Sequence, residues 1–246
     1  MTREEIEVKY YRGESFEGSD LHGADLRWAD LHDANFISAD LHGANLRGAD
    51  LHGADLHDAN FISADLRVAN LHGADLHGAD LHDANFISAD LHGADLHGAN
   101  LRGANLHGAD LRWANFISAD LHGADLRGAN LHDANLHGAD LHDANLRVAN
   151  LHGADLHGAD LCAADLSYAC LGDTGVVQVG PIGSRRDYLV VIRHTDGMID
   201  ANTGCFRGSL ARLEKAVAET HGNHPLYYRE YQAAIAYVKA VLSEHI

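Results

Sequence analysis

Hydrophobic residues recur along this chain with a period of five. Leu or Phe stands at every fifth position from Phe16 to Leu171, 32 centres without a slip, and Ala stands two residues before each centre from Ala24 to Ala169. The unit reads Ala-(Asp/Asn)-(Leu/Phe)-x-x. A helix advances about 100° per residue, so a step of five would turn successive Leu residues by about 140° and spread them around the axis. In a straight strand an odd step would send alternate Leu residues to opposite faces. A chain that bends once per repeat keeps each Leu, and the Ala two residues earlier, pointing inward. The pattern therefore predicts a solenoid.

The motif, unbroken from Phe16 to Leu171, resembles the pentapeptide-repeat family. The resemblance implies a right-handed quadrilateral β-helix, an all-β solenoid with four repeats per coil and about eight coils, with the central Leu or Phe filling the core. Phe16, Leu21, Phe36, Phe61, Phe86 and Phe116 are then core residues. At a strand spacing of about 4.8 Å the rod would be roughly 38 Å long. The block Leu51 to Asp65 recurs from Leu76 to Asp90, a step of five repeats rather than four. The repeat, not the coil, is thus the interchangeable unit, as tandem duplication or design would leave it. Two residues after each centre the corner is Gly in 16 of 32 cases. Val68 and Val148 fit a positive φ poorly, so the corners are expected to use more than one turn type.

The chain divides into a capping segment (1–15), the β-helix (16–173) and a small α/β domain (174–246). Ile6, Val8 and Tyr10 alternate, which suggests a strand added to the first coil. After Leu171, Val176 to Val179 and Tyr188 to Ile192 read as strands, and Thr195-Asp196-Gly197 as a hairpin turn. Ser209 is placed to cap a helix to about Glu219, and a second helix is expected from Pro225 to Ser243. Leu210, Leu213 and Val217 would be buried on the first, and Ala233, Ala236, Val238 and Val241 on the second. The Gly-Pro-Ile-Gly-Ser-Arg and Gly-Cys-Phe-x-Gly stretches resemble a small domain of phage and bacterial proteins. This domain is expected either to cover the last coil or to join two rods end to end as a homodimer.

Charge sharpens the picture. The chain has 246 residues, 36 Asp and Glu against 18 Lys and Arg, a formal charge of −18, and 21 His. An acidic surface repels phosphate, which argues against direct nucleic-acid binding. Assigning successive repeats to four faces gives four columns. The face through Leu21, Leu41 and Phe61 sums to −7, with Asp20, Asp40, Asp80, Asp83, Asp120, Asp140, Asp143 and Asp160 against Arg102. The faces through Phe16 and through Leu31 sum to −6 each, the latter counting Asp173. The face through Leu26 stacks Arg27, Arg47, Arg67, Arg127 and Arg147 and sums to +1. Duplex DNA would carry roughly 22 charges over the same length, so mimicry is arithmetically sensible.

The acidic rod also resembles the quinolone-resistance branch of the family, which implies a DNA-like outline offered to gyrase or topoisomerase IV. The alternative is a structural spacer, phage-associated or designed, that displays the C-terminal module. Columns such as His32, His52, His72, His92 and His57, His77, His97 have the chemistry to chelate a transition metal, but duplication of Leu-His-Gly explains them without one. Cys205 with His221 and His224 has residue types for thiol chemistry, without a recognisable third member. Gly183-Ser184-Arg185-Arg186 could hold an anion, or rest as a basic loop against the rod. No motif calls for a cofactor or an enzymatic activity. Three cysteines, no apolar signal core in Met1 to Glu7 and no apolar run of 18 residues lead to the expectation of a cytoplasmic, non-membrane protein.

Overall fold

A computed structural model describes residues 1–171, 175–182, 187–193, 198–203 and 206–243. The residue before each centre pairs in parallel with the one 20 positions on, in an unbroken series from Asp20 with Asp40 to Asn150 with Cys170. Four repeats therefore close one coil. The Leu21 N–H donates to the Asp40 carbonyl at 2.8 Å, and the Asp40 N–H donates back to Ser19 at 2.9 Å. The side chains of all centres from Phe16 to Leu166 are buried, as are the alanines from Ala24 to Ala164. Phe16 and Phe36 stack with ring centroids 4.8 Å apart, the spacing of adjacent strands. All six expected core residues are among those buried.

Each corner is closed by a hydrogen bond from the Ala N–H to the preceding Leu or Phe carbonyl, as from Ala24 to Leu21 at 3.0 Å. Its third residue has positive φ and its second does not, which defines a type II turn. This holds at every corner from Gly18 to Tyr168, including Val68 at φ 51° and Val148 at φ 61°. The expected mixture of turn types is corrected. The reason is the ladder: the corner N–H must reach the next coil, as Val68 reaches Ile87 at 3.0 Å, and one misfit side chain cannot override its neighbours.

The N-terminal segment is also corrected, because Arg3–Tyr11 is a helix (α1) rather than a strand. Thr2 accepts from the Glu5 N–H while the Glu5 side chain accepts from the Thr2 N–H, a capping box. Ile6 is buried in the rod's core cluster and Tyr10 packs beside it, whereas Val8 is exposed. The alternation was that of a short helix with one anchoring residue.

After the rod comes an antiparallel meander in the order β1 (Gly175–Ile182), β2 (Asp187–Arg193), β3 (Ile199–Thr203) and β4 (Phe206–Ser209). Helices α2 (Leu210–His221) and α3 (Pro225–Ser243) follow, and Ser209 caps α2 by accepting from the Arg212 N–H. Val190 and Ile192 belong to the buried cluster of the rod, while Leu189 and Val191 pack with Leu210, Leu213, Val217 and Val238. The sheet thus lies between the last coil and the helices. On α3 the buried residues are Ala234, Ile235 and Val238, with Val241 partly buried, whereas Ala233 and Ala236 are exposed. The bulk of Ile235, with Tyr231 one turn earlier, sets that face. The Thr195-Asp196-Gly197 turn lies outside the described residues, although β2 and β3 on either side of it do pair. Among the described residues no helix is long and apolar enough to cross a membrane.

Candidate functional site: the columns of the rod

Of the five N–H groups in a repeat, four are taken by the coil ladder and the corner. The fifth belongs to the residue after the centre. It donates to the side chain two residues back: His42 to Asp40 Oδ1 at 3.1 Å, His122 to Asp120 at 3.0 Å, His142 to Asp140 at 2.9 Å. Asn serves equally, as Ile62 bonds Asn60 Oδ1 at 3.0 Å. This side-chain turn explains why Asp or Asn stands before the centre in 30 of the 32 repeats, all but the first and the last. It requires the oxygen and is indifferent to the charge.

The predicted acidic column is a physical one. Asp20, Asp40, Asn60, Asp80, Asn100, Asp120, Asp140 and Asp160 succeed one another along one line of parallel pairs. Asn60 Nδ2 donates to Asp40 at 3.1 Å and Asn100 Nδ2 to Asp80 at 2.9 Å, so each amide relieves a stacked carboxylate. From Asp120 to Asp160 no amide intervenes, and Arg102 Nη1 reaches Asp120 at 3.3 Å. Asp83 and Asp143 sit exposed on the corners beside this column. Asp173 lies outside the described residues.

The Arg-bearing side differs in kind. Arg27, Arg67 and Arg127 fork onto Asp25, Asp65 and Asp125, each pair closing to 2.6 Å. The Arg27 side-chain bond holds the Asp25 carboxyl down to about 2. Arg67 lowers Asp65 in the same way, while at Asp125 partial burial opposes the shift and the Arg127 bonds outweigh it. Arg47 and Arg147 follow Asn45 and Asn145 instead, and no ion pair is seen for either among the described residues.

The histidines stack at the ladder spacing. Ring centroids are 5.0 Å apart for His52 and His72 and 4.9 Å for His72 and His92, and 4.7 and 4.9 Å along His57, His77 and His97. His32 is set apart, its Nδ1 lying 2.6 Å from Asp30 and 3.0 Å from the Tyr10 hydroxyl of α1. The Asp30 hydrogen bond raises the His32 pKa. Among the described residues one trio, His122, His142 and Asp143, brings three possible metal-ligating atoms within 4.8 Å of one another. It lies in neither expected column, and similar ring stacking occurs for His72 and His92, whose corner residues are Gly73 and Gly93. Cys205 and Gly183 to Arg186 lie outside the described residues. His221 and His224 stack instead on Tyr231 and Tyr227.

One feature was missed in the sequence. The large apolar side chains exposed on the rod are Trp28, Val68, Trp113, Val148 and Tyr168, and all but Trp113 follow the Arg-bearing column. Reading corner residues every 20 positions would have found them.

A family model described as pentapeptide repeats matches the chain in overlapping segments spanning residues 12–36, 29–67, 64–103, 94–133, 109–147 and 129–167. Among solved structures, HetL from the cyanobacterium Nostoc sp., a pentapeptide repeat protein involved in heterocyst differentiation regulation, is 33% identical. The alignment covers 70% of this chain and 98% of HetL, with a TM-score of 0.43. A trypsin-treated form of QnrB1, a plasmid-mediated fluoroquinolone resistance protein, is 23% identical over 63% of this chain and 78% of its own, with a TM-score of 0.51. None of the curated proteins matches significantly.

Proposed function

We propose, from the premise that the chain belongs to the pentapeptide-repeat family, that its rod is a non-enzymatic, DNA-like ligand for a DNA-handling enzyme. A type II topoisomerase, gyrase or topoisomerase IV, is the partner whose groove such a rod would occupy. One observation carries the reading. The fold asks only for an oxygen before each centre, and Asn supplies it, yet 18 of the 30 positions from Asp20 to Asp165 are Asp. The charge is therefore a property added to the fold. Asp20, Asp40, Asp80, Asp120, Asp140 and Asp160, with Asp83 and Asp143 on their corners, form the side we assign to the partner. A right-handed winding and a cytoplasmic location go with this reading.

The test is a supercoiling assay with added protein. Inhibition at micromolar concentration, lost when Asp120, Asp140 and Asp160 are changed together to Asn, supports mimicry; undiminished inhibition by that variant contradicts it. The second reading, a spacer holding the C-terminal module, is favoured by the packing of Val190 and Ile192 into the rod's cluster. It predicts no inhibition and partner binding that the Asp-to-Asn changes leave intact.

A further inference from the structure

The edge beside the Arg-bearing column is anomalous in two ways at once. Trp28 is 65% exposed, Val68 46%, Val148 61% and Tyr168 83%. Each also holds a φ between 51° and 62°, as corners throughout the rod do, where glycine is the unstrained choice and half of the corners use it. Neither the turn nor solubility favours Trp, Val or Tyr at such positions. Strain retained together with an exposed apolar side chain points to contact with another surface. Trp113, the remaining exposed aromatic of the rod, is alone on its edge, with its ring near His132.

Charge selects the occupant. Two sides meet at this edge: the Arg-bearing one sums to +1 and the one through Leu31, Leu51 and Leu71 sums to −6, much like the remaining two at −6 and −7. Two copies therefore meet with the least like charge when their Arg-bearing sides face each other and the acidic sides turn to the flanks and outward, screened over a Debye length of about 8 Å at physiological salt. We propose that two copies of this chain pair through their Arg-bearing sides, with this edge as one margin of the contact, antiparallel about a twofold axis.

The order of residues supplies the geometry. Along the edge stand Trp28, Gly48, Val68, Ser88, Gly108, Gly128, Val148 and Tyr168. A twofold axis through the middle sets Trp28 opposite Tyr168, Val148 opposite Gly48, and Val68 opposite Gly128. Each valine meets a glycine, and the aromatics meet each other; a parallel pairing would set Trp on Trp and glycine on glycine. A shallow concavity lined by His107, Arg127, Gly128, Arg147 and Val148 lies where Val68 of the second copy arrives. The indole of Trp28 covers Gly48, offering its face to the second copy's Val148. The same axis sets the Arg67 and Asp65 pair against the Arg127 and Asp125 pair, and it juxtaposes Arg47 with Arg147, a like-charge contact that higher salt relieves. A side of five residues is about 16 Å wide at a strand rise of about 3.3 Å, so a contact about 38 Å long covers roughly 600 Å² per copy, the low end of a standard interface. The proposal does not depend on what the acidic sides bind.

Sedimentation velocity of the full chain, from micromolar to about 0.2 mM, tests it. A dimer is expected, tightened when salt rises from about 0.05 to 0.3 M because like charge is screened. Trp28→Gly combined with Val148→Gly should weaken association at least about tenfold. Its melting temperature at low concentration should not fall, since glycine suits both corners. A monomer at every concentration overturns the proposal, as does a double variant that dimerises as tightly as the original chain. Topoisomerase inhibition is read separately, so failure of either idea leaves the other standing.

Discussion

Val68 and Val148 occupy corners at φ 51° and 61°, the least comfortable residue type in the least comfortable region. Replacing Val148 with Gly should remove strain of about 1–2 kcal/mol, against about 0.5–1 kcal/mol of added chain entropy. A small rise in melting temperature is expected by calorimetry at a concentration that keeps the chain monomeric. A fall would mean the side chain packs more than it strains. The residue before each centre behaves differently. Asp120→Asn should leave the melt nearly unchanged, while Asp120→Ala orphans the His122 N–H and should cost about 1 kcal/mol. At His32 the sign follows from its raised pKa. The charged pair with Asp30 stabilises the fold fully below the unfolded value of about 6.5 and is lost as pH rises through the higher folded value. The stability difference between the protein and His32→Gln should therefore shrink from pH 6 to pH 9, and a growing difference would contradict the assignment.

Single residues decide how the elements at the rod's ends attach. Helix α1 docks through Ile6 and the Tyr10 hydroxyl, and its start is fixed by the Thr2 and Glu5 capping box. At the other end, Val190 and Asn202 are register partners on β2 and β3, and Val190 packs into the rod's core cluster. Asn202 is fully buried, and its amide has no hydrogen-bond partner among the described residues. A buried amide without partners costs about 1–3 kcal/mol, and a β-branched residue suits a strand. Asn202→Val should accordingly raise the melting temperature. A loss of stability would show that the amide is needed at the seam between sheet and rod.

At the scale of the whole molecule the charge is unevenly deployed, and the two proposed contacts should answer to salt in opposite directions. An acidic rod held in a basic groove loses affinity as salt rises, whereas two acidic rods side by side gain it. Inhibition of a topoisomerase should weaken as salt rises from about 0.05 to 0.3 M while self-association strengthens, measured with the same preparation. Inhibition unchanged across that range would count against a charge-based contact.

The solenoid and its buried centres were legible because one short motif repeats 32 times and a five-residue step admits a single way of burying Leu, whereas the 20-residue closure came from the family resemblance and not from the period. The C-terminal helices were legible from Ser209 and Pro225, and the charge columns followed once four repeats per coil was adopted. The capping box at Thr2 was present in the sequence but outweighed by three alternating apolar residues. β3 and β4 were missed because Ile199–Thr203 and Phe206–Ser209 are too short to show a period of their own. The uniform corners were not legible at all. Local preference argues against Val at positive φ, and only a ladder of bonds to residues in the next coil, 19 positions on, can overrule it. The apolar edge had the same cause: residues 20 or more apart become neighbours only when the coil stacks them.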